Sequence, residues 1–336
     1  MTTIDLADPD QPRVLRTRES FSDRLFVHGA RSIGVLVLLI VGSIALFLGL
    51  QAYPTLHHYG FRFFTEYRWL PNQDILGLRA ILLGTVEVAT VALIIAFPLS
   101  LLSALYISDW APPRLRPVLI RLVDMMAAVP SIVYGLWGFG LMEPHATHVA
   151  HWLSKYLGWI PIFKVHTDVN APVWSYSPGY AAYEGSVFIA AIAVGLMIFP
   201  MATSVMREVI SRTPQGEKEA ALALGATRWS MVRTVVLPFG RAGIIGGTML
   251  GLGRALGETI SVVLIISQVY QVKFRVLESG TQTISALIAD QYKEATPAQL
   301  SALLTAGFVL FLMTLLVNTI AAVIVGRARS GGATEI

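Results

Sequence analysis

The chain of 336 residues contains no cysteine. That absence excludes disulfides, thiolate catalysis and cysteine-based metal sites. Charge is also scarce, with Asp, Glu, Lys and Arg making up 14% of the residues against about 25% in an average soluble domain. So low a share excludes a disordered chain, a nucleic-acid-binding domain with a solvated surface, and most soluble enzymes. No segment of the form G-x-x-x-x-G-K-[ST] occurs, so no phosphate-cradling nucleotide loop is present. No nucleophile–base pair or ligand cluster has convincing spacing for catalysis.

What the chain has in quantity is apolar sequence, at 54% of residues with a mean hydropathy of +0.63. It falls into six runs: Ile33 to Tyr53, Ala80 to Ile107, Val118 to Met142, Gly185 to Met206, Ala242 to Val272 and Ala302 to Val325. Each is long enough to cross a hydrocarbon core of about 30 Å as a helix rising 1.5 Å per residue. Strand-like alternation is absent, which argues against a membrane barrel. The predicted fold is therefore an all-α polytopic membrane protein of six transmembrane helices. The first run is longer than a signal-peptide core and is expected to be retained.

Lysine and arginine give the orientation. With the N-terminus in the cytoplasm, sixteen of the 25 basic residues fall inside, eight outside, and Arg254 within a span. Both termini are expected in the cytoplasm. The expected organisation is a tail over 1–31, a first helix over 32–54, a transmembrane domain over 80–326 and a second tail over 327–336. Within the domain, 143–184 forms a long external loop whose Trp152, Trp159 and Trp174 suit the membrane interface. Residues 207–241 form a cytoplasmic loop expected to be helix–turn–helix. Thr213 is placed to cap a helix beginning at Pro214, Gly225 to end it, and a second stretch, Thr227 to Leu237, to stop at Pro238.

Charges inside the runs are costly and point to function. Arg254 and Glu258 lie four apart, so on a helix they share a face and pair. A charge at the bilayer centre costs about 2.5–3.5 kcal/mol on insertion scales, and such residues usually face a bundle interior or a water-filled path. Two readings stand: an ion pair that fixes helix register, or an anion-path arginine held by Glu258. Gly243, Gly247, Gly251 and Ala255 form a small-residue ridge that permits close packing. Weaker features are read more plainly. Glu87 is expected to reach the outer interface, Arg121 and Asp124 to form a local ion pair, and Pro130 to kink its span, a possible hinge. His145, His148 and His151 share a helix face, which makes a metal site conceivable, but are read as a solvated stretch.

The cytoplasmic loop carries a longer pattern: Glu219-Ala220-Ala221, three residues, Gly225, nine residues, then Val235-Val236-Leu237-Pro238. This resembles the EAA loop of ABC importer permeases of the type I, MetI-like family, with Val235 in place of Ile. The resemblance narrows at "GLGRALGETISV" (Gly251 to Val262) and "VPSIVYG" (Val129 to Gly135), which are similar to PstC-type permeases of the phosphate-specific importer. Pro98-Leu99-Ser100 and Asn318 also match. The resemblance implies that Glu219, Ala220, Ala221, Gly225, Leu237 and Pro238 couple to an ATPase. It implies that Arg254, Glu258, Thr259 and Ser131 line the substrate pathway. Implied partners are a PstA-like second permease, a PstB-like ATPase dimer, a PstS-like external phosphate-binding protein and membrane lipid, with no nucleic acid. ATP-Mg belongs to the ATPase, and no cofactor to this chain. Implied function is ATP-driven phosphate import by alternating access. Import of sulfate or molybdate, or ATPase-independent transport, are the alternatives left open by the residues.

Overall fold

Lipid offers no hydrogen-bond partners, so an apolar run must satisfy its own backbone, as a helix does. The computed structural model, which describes residues 21–165 and 182–329, meets this with long helices. The chain forms two units, residues 1–47 and 48–336. The first span is one helix, Phe21–Tyr59, so the expected tail is already helical from Phe21. Its side chains up to Gly42 are exposed, as a lipid-facing helix requires.

Among the described residues, five helices are long and apolar enough to cross a membrane: Phe21–Tyr59, Arg79–Trp110, Val187–Ile210, Arg228–Leu256 and Pro297–Gly326. The expected third span is different. It is two helical pieces, Arg116–Ala128 and Ser131–Leu157, bent by 90° at a short break; counted as one, they bring the total to six. The cause is Pro130, whose ring disfavours helical geometry at the residue before it. Val129 is accordingly extended, with φ −66° and ψ 127°.

The fifth run is also corrected. Its helix starts at Arg228 and ends at Leu256 rather than running from Ala242 to Val272. A short helix, Ile260–Ile265, follows, and then extended chain whose Gln268 bridges Thr281. Nor does the stretch from Thr227 stop at Pro238. A π-helical turn over Val232–Val236 precedes it, and the helix continues.

Small residues set the core. Ala89, Ala92 and Ala96 of the second span share a cluster with Ala190, Ala193 and Val194 of the fourth. A Cβ on Gly195 would lie 3.1 Å from the Ala92 carbonyl oxygen, and Ser100 Oγ donates to Phe199 O at 3.1 Å. The predicted glycine ridge packs on the fourth span. A Cβ on Gly243 would lie 2.3 Å from Val209 Cβ, and one on Gly247 3.0 Å from Ala202 O.

The segment 143–184 begins as a helix, Glu143–Leu157, whose Trp152 is exposed, as is Trp159 just beyond it. Trp174 lies outside the described residues. The His145 and His148 rings bond Leu141 O and Pro144 O of the same helical stretch, and His151 meets the Tyr183 ring edge-on. Among the described residues no group of three His, Asp or Glu could hold a metal ion. Asp124 accepts from Ser204 Oγ of the fourth span at 3.1 Å instead of pairing with Arg121. One helical turn separates those two residues, but the acid turns toward the neighbouring helix.

Candidate transport path and coupling helix

The two broken spans meet at their breaks. Ser131 opens the helix after Pro130, and its carbonyl accepts from Ser261 Oγ at 2.7 Å. Ser261 belongs to the short helix after the break in the fifth span. Gly135 permits the contact: a Cβ there would lie 2.9 Å from Ser261 Cα. Irregular backbone at membrane depth is tolerated only where protein buries it or a cavity is lined, and here each break supports the other.

Arg254 and Glu258 do not pair, contrary to the helical-face expectation. The helix ends at Leu256, so the four-residue spacing no longer sets them on one face. Glu258 is 8% exposed, and its Oε1 accepts from Ser261 N–H at 3.4 Å and lies 3.2 Å from Ser261 Oγ. The Glu258 carbonyl accepts from Ser285 Oγ at 2.6 Å. The carboxylate thus sits against the first turn of the short helix that follows the break. Arg254 lies in the last turn, at the negative end of the helix dipole, where a cation is favoured. It is exposed, approaches Met197 Sδ at 3.7 Å, and lies within electrostatic reach of Tyr134. Thr259 Oγ1 donates to Gly257 O at 3.1 Å. Ser131, Thr259 and Glu258 therefore gather around the two breaks, with Arg254 just before one of them. Ser261, Ser285 and Tyr134 complete the group. Ser261 and Tyr134 lie inside the two quoted stretches, where only their neighbours draw notice.

Glu87 is half-buried on the second span. It lines a small polar recess with Gln271, Lys273, Arg275 and Thr281.

The helix expected to couple to an ATPase, the candidate coupling helix, runs Gln215–Ala223. Thr213 does not cap it: its hydroxyl donates back to Ile210 O at 2.8 Å, and Pro214 takes the cap position without a side-chain bond. The other end matches expectation. Gly225 has φ +84°, with Gly225 N–H bonded to Leu222 O and Ala226 N–H to Ala221 O. That pair of bonds is a Schellman motif, which needs the left-handed conformation glycine adopts freely. Glu219 is exposed and accepts from Gln215 Nε2 at 3.1 Å; Ala220 is exposed, and Ala221 is half-buried. Leu237 and Pro238 lie in the continuing fifth-span helix.

Apolar spans braced at two breaks, with a solvent-exposed helix between the fourth and fifth, are the architecture of a multi-pass membrane transport subunit. The chain belongs to the family of binding-protein-dependent transport system inner membrane components, whose family model matches residues 96–330. It is 37% identical over 335 residues to phosphate transport system permease protein PstC 2 of Mycobacterium tuberculosis, covering 98% of this chain and all of the relative. It is 33% identical to PstC of Pasteurella multocida, covering 94% of this chain and 96% of that one.

Two solved structures share the fold. One is of the MetNI methionine ABC transporter in inward-facing conformations (TM-score 0.52, 16% identity, 78% of this chain and 99% of that one). The other is of a bacterial alginate ABC transporter bound to its pentasaccharide-loaded periplasmic protein (TM-score 0.56, 17% identity, 89% and 93%).

Proposed function

We propose that this chain is the permease subunit of an ABC importer that moves inorganic phosphate into the cytoplasm by alternating access. The observation that carries the reading is near-full-length similarity, at 33–37% identity, to permeases named for phosphate transport. The site suits that cargo. Arginine is a planar fork that meets two phosphate oxygens at once and stays charged, and Arg254 is exposed just before the fifth-span break. Glu258 is buried and bonds Ser261 after the break rather than pairing with the arginine. Ser131 and Thr259 supply polar groups beside the same path.

The importer comprises this chain, a PstA-like permease, a PstB-like ATPase dimer that binds ATP-Mg, and a PstS-like external phosphate-binding protein. Both termini face the cytoplasm, the side on which sixteen of the basic residues fall. The coupling helix, carrying Glu219, Ala220 and Ala221 on exposed or half-buried positions, sits in a groove of the ATPase. ATP-driven closure acts on it, and the permease changes state because its partners bind the two states with different affinity.

The test is ATP-dependent phosphate uptake by the assembled importer in vesicles. Arg254→Gln should lower uptake by about 100-fold or more, a loss of charge-assisted contacts, with assembly unchanged. Wild-type uptake by an assembled Arg254→Gln importer refutes the role. Competition by sulfate and molybdate in the same assay fixes the oxyanion.

A further inference from the structure

The coupling helix is exposed along most of its length, and the one side chain it buries is a lysine. Lys218 Nζ donates to Asp109 Oδ1 at 2.6 Å, with the two side chains only 10% and 8% exposed. Asp109 lies in the π-helical turn Tyr106–Trp110 that closes the second span. The pair stands beside a polar cavity of about 450 Å³ that Arg116, Thr213 and Arg228 also line. Ala221 packs partly against the cluster that holds Met206, Met231 and Val236, and the helix also touches the start of the fifth span over 228–236; this pair is its charged tie to the second span.

A buried ion pair is a weak source of net stability, because desolvation offsets much of the attraction. What it provides is a directional contact. Apolar surfaces slide past one another at little cost, whereas separating two charges in a poorly solvated site is steeply unfavourable.

The second span then leads to the break in the fifth. Near its far end, Thr85 Oγ1 accepts from Ile284 N–H at 2.9 Å, and the adjacent Ser285 bonds the Glu258 carbonyl. A Cβ on Gly84 would lie 2.3 Å from Gln282 O, so span and strap are in close contact. Coupling between distant sites travels through packed, rigid elements of this kind.

We infer that the Lys218–Asp109 ion pair is the positioning contact that hands movement of the coupling helix to the second span, and through it to the Glu258 break. The inference rests on the importer reading and deepens it.

The measurement is phosphate taken up per ATP hydrolysed by the purified, reconstituted importer. Lys218→Met and Asp109→Asn should each lower that ratio about 10-fold, within the usual range of coupling free energies, while ATP hydrolysis continues. The exchanged pair, Asp109→Lys with Lys218→Asp, should restore it to within about 2-fold. An unchanged ratio in the single variants overturns the proposal.

A second arm removes folding from the question. The chain has no cysteine, so Asp109→Cys with Lys218→Cys can be joined by a short reducible cross-linker in an importer whose other subunits are cysteine-free. The bridged form should couple and the same sample should lose coupling on reduction; equal ratios before and after reduction overturn the proposal. If the wild-type importer itself shows no ATP-dependent phosphate uptake, the functional reading fails instead, and that control separates the two.

Discussion

The coupling helix and the fifth span are joined by a few residues of chain, yet are built on opposite plans. Gln215–Ala223 exposes most of its surface and buries one charged side chain. Leu237–Leu256 buries Gly240, Gly243, Gly247, Gly251 and Ala255 against its neighbours, with Leu256 the largest of its buried side chains. The first is an element held on one side, at Lys218 and Ala221, with most of its surface exposed. The second is held along a line, its glycines seating the Val209, Met206 and Ile198 side chains and the Ala202 carbonyl of the fourth span. On the proposed function the two would do different work: the first moving with the ATPase, the second fixing the frame against which that movement is measured.

The sharpest break of that comparison is Gly243→Ala. The new methyl would lie 2.3 Å from Val209 Cβ and 2.4 Å from its Cγ2, both on a β-branched side chain with little freedom to turn away. Overpacking of this kind costs about 1–3 kcal/mol, so the thermal midpoint of the detergent-solubilised chain should drop clearly. Adding Val209→Ala should recover part of the loss, since the two sites are in direct contact. An unchanged midpoint in the single variant would mean that the ridge is not packed on the fourth span.

How far this was legible in the residues differs between the two elements for a physical reason. The glycine ridge repeats every fourth residue, and that period is the helix's own, so the sequence displays it directly. The Schellman end at Gly225 is legible too, because only a few residue types enter the left-handed region. The Lys218–Asp109 pair is not, because its partners stand 109 residues apart and nothing local marks either one. Arg254 and Glu258 mislead in the opposite way. Their spacing assumes an unbroken helix, whereas the helix ends at Leu256 and Glu258 bonds Ser261 N–H in a turn that Ser131 and Ser285 reach from elsewhere. Pro130 and Pro238 look alike as sequence. One stands at a 90° bend in its span and the other in a continuing helix that a π-helical turn precedes.

Gly225→Ala tests the coupling helix on its own terms. Its φ of +84° is strained for any residue with a Cβ, although nothing stands within 4 Å to clash. The cost is about 1–2 kcal/mol, and it falls on a short exposed helix rather than on the bundle. Amide hydrogen exchange over residues 215–223 should therefore quicken about 5-fold or more, while the global midpoint stays put. A fall in the global midpoint would mean that the coupling helix is part of the core.

The smallest effect, and the one with the opposite sign, belongs to Gly246→Ala. Gly246 lies in the same helix as the ridge but off its packed line, and a Cβ there meets nothing within 4 Å. Alanine is the better helix former by up to about 1 kcal/mol, so the separate chain should be unchanged or slightly stabilised. Measured beside Gly243→Ala, three residues away, it divides a general intolerance of side chains in this helix from a contact confined to one face. If Gly246→Ala destabilises the separate chain as much as Gly243→Ala does, the ridge is not a face at all. If it spares the chain yet weakens the assembled importer, the open side of this helix is where the second permease packs.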